Sequence, residues 1–305
     1  MHLQALSIGE SVPRDHFDAV VQSAFDSALN LRLAEEDRLV TLLQAEHYEL
    51  PQGIRIWQKG LSLQFIDPGT RAALRGGILR FESAALSVDL RAARVWDRRV
   101  SHLRLQPDTA ALQAAWAAAW QLLNAEQRRK NADLIAEILL QPGARSLLSQ
   151  RVGALLGPLL RAAADLDAKL AVDHARGLIG LGPGVTPSGD DFLIGFLAAL
   201  WSIAGDAPER ENFLRAFGAG LVAAAQHTSE ISRTYLFHAA RGQFSSAVFD
   251  LVAAFALQGE ISSAVQAAVH VGHTSGMDTV TGFLLAVPAW YPRVNAPWTA
   301  AGVLI

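Results

Sequence analysis

Two segments in the C-terminal part of the chain share residues whose types and spacing could do chemistry. Ser188–Leu200 aligns with Ser275–Val287 without gaps, and seven of the thirteen positions are identical. Each segment begins with a serine, has an aspartate three residues later and continues as an apolar, helix-forming run. A helix N-terminus presents unpaired N–H groups and the positive end of the helix dipole, and both attract anions. The pattern predicts a site for an anionic ligand, with Ser188, Asp191, Ser275 and Asp278 as candidate catalytic residues.

The loop that precedes the first segment is rich in glycine and proline. Gly180–Gly189 contains four glycines and two prolines in ten residues. Glycine allows the backbone to approach a ligand closely and to adopt conformations that other residues avoid. We therefore expect this loop, and the residues at the start of the second segment, to bind the substrate. The candidate substrate-binding residues are Gly182, Gly184, Thr186, Gly189, Asp190, His273, Thr274 and Gly276.

Each segment also has a glycine inside its predicted helix, one turn after the shared aspartate. These residues are Gly195 and Gly282. A glycine in a helix costs about 1 kcal/mol relative to alanine, so its repetition at matching positions calls for a reason. Two helices that cross closely at these glycines would supply one. The sequence therefore predicts that the two helix N-termini converge on one pocket.

A simpler interpretation is that the Ser–Asp pairs only cap their helices. Ser188 with Asp191, and Ser275 with Asp278, fit a capping box in which aspartate replaces the usual glutamate. A serine cap and an acid in the first turn stabilise a helix by roughly 1 kcal/mol. In this alternative the pairs stabilise structure and do no chemistry.

A third segment begins with the same His-Thr-Ser sequence that opens the second one. It contains Ser229 and, four residues later, Arg233, and both are candidate substrate-binding residues. A guanidinium group suits a two-point contact with a phosphate or a carboxylate. The alternative is an ordinary surface pair between Glu230 and Arg233, worth a few tenths of a kcal/mol, since they are three residues apart.

Two regions of different composition must position these residues. Residues 1–106 contain short apolar segments separated by turns, which predict a strand-rich region with a small closed sheet or barrel. Residues 107–305 are rich in alanine and leucine at helical spacing, which predicts a larger all-helical region that carries the ligand site. The expected fold class is α+β, with the first region packed on the second.

Local patterns refine this division. Asp15–Leu29 has apolar residues at helical spacing, whereas Asn30–Leu33 and Arg38–Leu43 fit a hairpin. Ala144–Leu156 and Leu159–Ala171 are expected to be separate helices, with a break at Gly157-Pro158. The helices predicted in the second region are Asp108–Leu123, Asn131–Leu140, Ala144–Leu156, Leu159–Ala171, Asp191–Ala204, Glu209–Gln226, Ser229–Ala240, Ser245–Leu257 and Ser275–Val287.

The composition excludes several classes of function. The 305 residues include no cysteine, so disulfides, zinc–thiolate sites and thiol nucleophiles are excluded. A net charge of −3 gives no reason to expect nucleic acid or an anionic membrane as a partner. The most apolar stretch, Phe192–Ala204, is too short to span a bilayer, and the first residues lack the pattern of a signal peptide. A cytoplasmic location is therefore expected, and the absence of a GxxxxGK[ST] loop gives no support to nucleotide binding of that kind.

Three of these motifs resemble one known family. The sequences GLGPGVTPSGDDFLIG (180–195), HTSEISRTYL followed by HAARG (227–242) and GHTSGMDTVTGFLL (272–285) are similar to the AllH-type subunit of oxamate carbamoyltransferase. The resemblance extends into the first region through LSVDLRAARVW (86–96). It implies a transferase subunit of anaerobic purine and allantoin catabolism that works with other subunits. That enzyme converts oxalurate and phosphate to oxamate and carbamoyl phosphate, and no catalytic residue is carried over from the family.

Two other functions fit the same residues. In one, Asp190, Asp191 and Asp278 hold Mg²⁺ in a hydrolase or phosphotransfer enzyme. In the other, the chain is a non-catalytic assembly subunit whose glycine-rich faces dock partners. The carbamoyltransferase interpretation needs no cofactor. It does require that aspartates next to a bound phosphate be protonated or bridged by a metal, because ionised carboxylates would repel the phosphate.

Overall fold

The computed structural model describes residues 1–35, 38–82, 84–103, 105, 109–130, 135, 147–292 and 294. The chain divides into two compact units, Met1–Arg98 and Arg99–Ile305. Apart from Ile135, the predicted helix Asn131–Leu140 lies outside the described residues, as does the expected helix start at Asp108.

The first unit is a barrel-like sheet of nine strands. β5 pairs with both β4 and β1, so eight strands close in the order β5-β4-β3-β2-β6-β7-β8-β1, and β9 is an extra strand beside β1. This confirms the predicted strand-rich, barrel-like region. The strands are β1 (His2–Gly9), β2 (His16–Ala24), β3 (Ala28–Leu33), β4 (Leu39–Gln44), β5 (Gly53–Ile56), β6 (Arg71–Arg75), β7 (Ile78–Phe81), β8 (Ser87–Asp89) and β9 (Arg94–Trp96).

The helical interpretation of Asp15–Leu29 is wrong. Most of this segment is strand β2, which pairs antiparallel with β3 and β6. Phe17, Ala19 and Val21 are buried and alternate with exposed residues, one of which is Val20. The helical pattern depended on counting Val20 as a core residue, and the two-residue period of a strand turns it outward instead. The hairpin predicted next is confirmed, because β3 and β4 are antiparallel neighbours.

The buried side chain of Glu49, in the loop after β4, accepts hydrogen bonds from three strands of the barrel-like sheet. Glu49 accepts hydrogen bonds from the Ser7 hydroxyl at 2.5 Å, from Arg55 at 2.7 Å and from Arg94 at 2.7 Å. A carboxylate out of water is tolerated only when its oxygens are paired in this way. Glu49 therefore links β1, β5 and β9 through one side chain.

We expect Glu49→Ala to lower the free energy of unfolding by about 2 kcal/mol. The change leaves a buried hydroxyl and two guanidinium groups without their acceptor, but the Arg94 side chain is 62% exposed, so water compensates in part. Chemical denaturation measures the loss. Glu46→Ala removes the same charge at an exposed position and should change stability by less than about 0.5 kcal/mol. Equal effects of the two changes would contradict the role given to Glu49.

The second unit is helical throughout its described residues. Its main core is continuous and includes Trp116, Phe192, Phe196, Phe217 and Phe283, all fully buried. None of the described helices is long and apolar enough to cross a membrane. The α-helices are α1 (Thr109–Lys130), α2 (Leu147–Ala164), α3 (Ala168–Ala175), α4 (Ser188–Ile203), α5 (Pro208–Ala224), α6 (Glu230–Ala239), α7 (Ser246–Ala256), α8 (Ile261–Val269) and α9 (Ser275–Trp290).

The predicted break at Gly157-Pro158 is also wrong. Helix α2 continues through Pro158, and its residues Leu156 and Leu159 are completely buried on either side. Burial of this face outweighs the roughly 3 kcal/mol that an internal proline costs. The chain leaves the helix later, at Leu166 with a positive φ of 59°. Asp167 then caps α3 by accepting a hydrogen bond from the Leu170 N–H group.

Candidate functional site

Helices α4 and α9 cross at the two glycines that the sequence singles out. A Cβ atom on Gly195 would lie 1.8 Å from the Thr279 carbonyl oxygen, and one on Gly282 would lie 2.0 Å from the Phe192 carbonyl oxygen. Thr279 and Phe192 occupy matching positions in the two segments, so the contact is reciprocal. The close crossing that these glycines predict is therefore confirmed, and it brings the N-terminal turns of both helices together.

The serines that begin these helices do not cap them. Pro187 occupies the N-cap position of α4 and Thr274 that of α9, and neither end has a side-chain capping hydrogen bond. Ser188 and Ser275 are already the first helical residues. The capping-box interpretation is therefore wrong, because each serine lies one position too late to accept from its own first turn.

Each Ser–Asp pair instead crosses to the other helix. Hydrogen bonding to Ser275 acts on Asp191, and hydrogen bonding to Ser188 acts on Asp278. We call these four residues the crossed pairs. The reciprocal glycine contact sets up this exchange, since it places the first turn of α4 against that of α9.

Both aspartates of the crossed pairs are buried, and each has an oxygen that lacks a protein partner. The Oδ2 atoms of Asp191 and Asp278 accept no hydrogen bond from the described part of the chain. Oδ1 of Asp278 accepts one from the Ile135 N–H group at 3.2 Å. A buried polar atom without a partner costs free energy, so a ligand group that donated to these two atoms would be stabilised by them.

Burial also changes the protonation of these carboxyl groups. It raises the pKa of Asp278 to about 7, although hydrogen bonding to Ser188 and Ile135 and the charge of Lys130 lower it in part. Burial likewise raises the pKa of Asp191 well above its usual range, and the neighbouring charge of Asp278 adds to the increase. Burial therefore favours the protonated form of Asp191, and a pKa of about 7 lets Asp278 both give and accept a proton near neutral pH.

Asp190 has a different role from the two acids of the crossed pairs. Its Oδ1 accepts a hydrogen bond from the Gly180 N–H group at 2.9 Å, and its Oδ2 accepts one from the Thr228 hydroxyl. Both oxygens are thus occupied within the protein, although burial raises its pKa as well. Asp190 fastens the glycine-rich loop to the segment before α6.

The glycine-rich loop, Gly180–Gly189, also reaches the second segment. The Thr186 hydroxyl lies 2.9 Å from the Ser275 hydroxyl, and the Ser229 hydroxyl donates to the Val185 carbonyl at 2.5 Å. Gly182 has a φ of +114°, which side chains rarely permit. Gly184 faces open space, whereas Gly189 packs against a neighbouring backbone. Of the predicted loop residues, Thr186 is brought to the crossed pairs and Gly184 remains at the surface.

Gly276 matches Gly189 in packing as well as in sequence. A Cβ atom on Gly189 would lie 2.0 Å from the Leu178 carbonyl oxygen, and one on Gly276 would lie 1.9 Å from that of Ala268. Both glycines therefore let the chain before the helix pass close to its first turn. His273 is exposed, and Thr274 is half-buried at the start of α9.

The third segment is placed beside the loop. Ser229 caps α6 by accepting a hydrogen bond from the Ser232 N–H group. Arg233 lies 3.9 Å from Glu230 and donates to the Gln226 side chain at 3.3 Å. The contact from Ser229 to the loop brings this helix start to the site, but Arg233 already has protein partners.

Sequence patterns did not indicate two contributors from the end of α1 and the residues after it. Lys130, the last residue of α1, donates from Nζ to the His273 carbonyl oxygen, and Ile135 donates its N–H to Asp278. Basic residues at a helix C-terminus are ordinarily explained by the helix dipole, so the run Arg128-Arg129-Lys130 gives no signal of a site.

The aspartates do not form a metal-binding group. Across the described ranges, no set of three or more histidine, aspartate or glutamate side chains is placed to hold a metal ion. Asp190 uses both of its oxygens to accept hydrogen bonds from Gly180 and Thr228.

Comparison with known proteins gives two matches that together cover most of the chain. Residues 178–287 match the family model described as oxamate carbamoyltransferase subunit AllH, and residues 4–95 match the AllH family N-terminal domain. The first match contains both repeated segments and the third segment, and the second covers the barrel. No solved structure matches the chain significantly. The chain belongs to the AllH family, whose members are subunits of oxamate carbamoyltransferase.

Proposed function

We propose that this chain carries the carbamoyl-transfer site of oxamate carbamoyltransferase, at the crossing of α4 and α9. The supporting observation is the pair of buried aspartates whose Oδ2 atoms lack a partner and whose pKa values are raised. The reaction would convert oxalurate and phosphate to oxamate and carbamoyl phosphate, in purine and allantoin catabolism. The family match supports a place in this enzyme, together with other subunits.

The chemistry needs a proton to move while one bond replaces another. A phosphate oxygen attacks the carbamoyl carbon of oxalurate, and the bond from that carbon to the amide nitrogen breaks. The nitrogen keeps the electron pair and takes a proton, which completes the amide of oxamate. The attacking hydrogen phosphate gives up its proton, so the reaction is balanced in charge and atoms.

Asp278 is suited to carry that proton. Its pKa of about 7 lets it donate to the leaving nitrogen and recover a proton from the phosphate in the same turnover. Asp191, whose protonated form is favoured by burial, is suited to donate a hydrogen bond to the carbamoyl oxygen as negative charge develops there. The two carboxyl groups would thus have different roles, with Asp278 transferring the proton and Asp191 donating a hydrogen bond.

Charge repulsion of phosphate is reduced at such a site. Ionised aspartates would repel a dianion, but burial favours the protonated forms of both Asp191 and Asp278. The glycine-rich loop and the first turns of the two helices add N–H groups and positive dipole ends. Arg233, at the edge of the loop, is suited to the carboxylate of oxalurate or oxamate.

A thermal-shift titration tests the proposal. The full chain is titrated with phosphate, carbamoyl phosphate, oxamate and oxalurate, each with and without Mg²⁺, and with sulfate as a control for general anion effects. A ligand that binds the folded chain raises Tm with its concentration, by the equivalent of about 2.7 kcal/mol at 100 times Kd. We expect this for carbamoyl phosphate and oxalurate, and we expect Asp278→Asn to reduce it.

Two results would redirect the assignment. A rise in Tm with Mg²⁺ alone, lost in Asp278→Ala, would favour the metal-dependent hydrolase or phosphotransfer enzyme. Full activity of the assembled enzyme after substitution of both Asp191 and Asp278 would mean that this chain is an assembly subunit and that the chemistry lies elsewhere.

A further inference from the structure

The end of α1 lies against the start of α9. Lys130 donates from its ammonium group to the His273 carbonyl oxygen, two residues before α9 begins. Ile135, five residues further along, donates its N–H to Asp278. Two residues outside the repeated segments therefore contact this side of the site, and one of them carries a positive charge.

Lys130 differs from two nearby basic residues in the chemical type of its hydrogen-bond partner. Arg233 is paired with Glu230, and Arg129 makes two hydrogen bonds to Glu126 at 2.6 Å and 2.8 Å. Among the described residues, the hydrogen-bond partner of Lys130 is a neutral carbonyl oxygen. That contact positions the ammonium group, whose charge acts on Glu126 as well as on Asp278. An ammonium group has three donors, of which the carbonyl uses one.

The position of the charge is relevant to the crossed pairs. Lys130 acts electrostatically on Asp278, which is completely buried and has an unpartnered Oδ2 atom. A half-buried cation with unused donors, beside a buried acid with an unused acceptor, suits a ligand that presents both negative charge and a protonated group. Hydrogen phosphate has that combination.

We propose that Lys130 binds the phosphoryl group of the substrate and that the His273 carbonyl holds it in place. The proposal rests on the function proposed above and adds a residue to it. The role differs from that of Arg233, which lies beside the glycine-rich loop at α6 and suits the carboxylate end. Loss of Lys130 should therefore affect phosphate far more than oxalurate.

Steady-state kinetics of the assembled carbamoyltransferase test this separation. With oxalurate saturating, Lys130→Gln should raise the KM for phosphate at least tenfold, whereas the KM for oxalurate should change less than threefold. Lys130→Arg, which keeps the charge, should recover part of the loss. Arg128→Gln makes the same change of charge two residues away at an exposed position, and should leave both KM values unchanged.

The possible outcomes separate the role of Lys130 from the proposed function of the site. Unchanged phosphate KM in Lys130→Gln, with Asp278→Asn inactive, would overturn the role of Lys130 and leave the site intact. Equal increases in both KM values would also overturn it, because they would indicate a general distortion. Full activity of Asp278→Asn would contradict the proposed function itself. A Tm within a few degrees of the unchanged chain confirms that each variant is folded.

Discussion

Asp278→Asn is expected to lower the carbamoyl-transfer activity of the assembled enzyme by about 100-fold or more. The carboxamide keeps the shape of the side chain and can still accept a hydrogen bond from the Ile135 N–H group. It cannot give and recover a proton. Initial rates of carbamoyl phosphate formation, measured together with Tm, separate the loss of chemistry from a loss of folding.

Asp190→Asn, in the first turn of α4, is the matched control for the change at Asp278 in the first turn of α9. Both oxygens of Asp190 accept hydrogen bonds, from Gly180 and from Thr228, so an NH₂ group must face one of these donors. Its main effect should be a loss of about 1–3 kcal/mol in stability. If Asp278→Asn instead lost activity and stability in equal measure, Asp278 would be a structural residue.

The pH dependence of stability gives a second readout of Asp278. Its pKa is about 7 in the folded chain against a usual value of 3.8, so the folded chain binds this proton more tightly than the unfolded chain. The resulting stabilisation is complete below about 3.8 and is lost as the pH rises through about 7. The stability of the unchanged chain relative to Asp278→Asn should therefore fall across this interval and remain constant above it.

Gly195→Ala is expected to destabilise the helical unit by about 3 kcal/mol, although the same change in an open helix is stabilising by about 1 kcal/mol. The added Cβ would lie 1.8 Å from the Thr279 carbonyl oxygen, and a backbone atom cannot rotate away as a side chain can. The two helices must then separate, which also breaks the crossed pairs. The free energy of unfolding, measured by urea denaturation, and the activity should therefore both decrease.

Two comparisons make this prediction specific. Gly282→Ala should cost about as much, and the double variant should cost less than the sum, because helices already separated by one methyl group tolerate the second. Gly259→Ala, where the nearest atom to an added Cβ would be at 3.4 Å, should stay within about 0.5 kcal/mol. A stabilising Gly195→Ala would show that the crossing is looser than described.

The helix crossing could be predicted from the sequence because both repeated segments have a glycine at the same position inside the helix. A mid-helix glycine at matching positions has a cost that only a close approach explains, and the structure has that approach. The barrel could be predicted from the spacing of its turns. Strand β2 could not, because Phe17 and Val21 are four residues apart, a spacing that fits both a helix face and a strand face, and only pairing with β3 and β6 decides between them.

The sequence pattern within each segment could not predict that each serine of the crossed pairs interacts with the aspartate of the other helix. Within each segment Ser and Asp have the spacing of a cap, and only the geometry of the crossing assigns each serine to the other helix's acid. Lys130 contacts the site through His273, which is distant in the sequence. The residues next to Lys130 in the sequence do not predict that contact. Long-range packing determines both features.

The near-equivalence of the two helix starts has a consequence for the direction in which a substrate can enter. Two identical halves would accept an unsymmetrical molecule in either of two orientations, and one of these would be unproductive. The halves differ where Asp190 corresponds to Met277, which is completely buried. One side is thus fixed by a polar anchor to the loop and the other by an apolar side chain. This mismatch in the first helical turns would give the proposed site a polarity, so that one end of a bound molecule would be distinguished from the other.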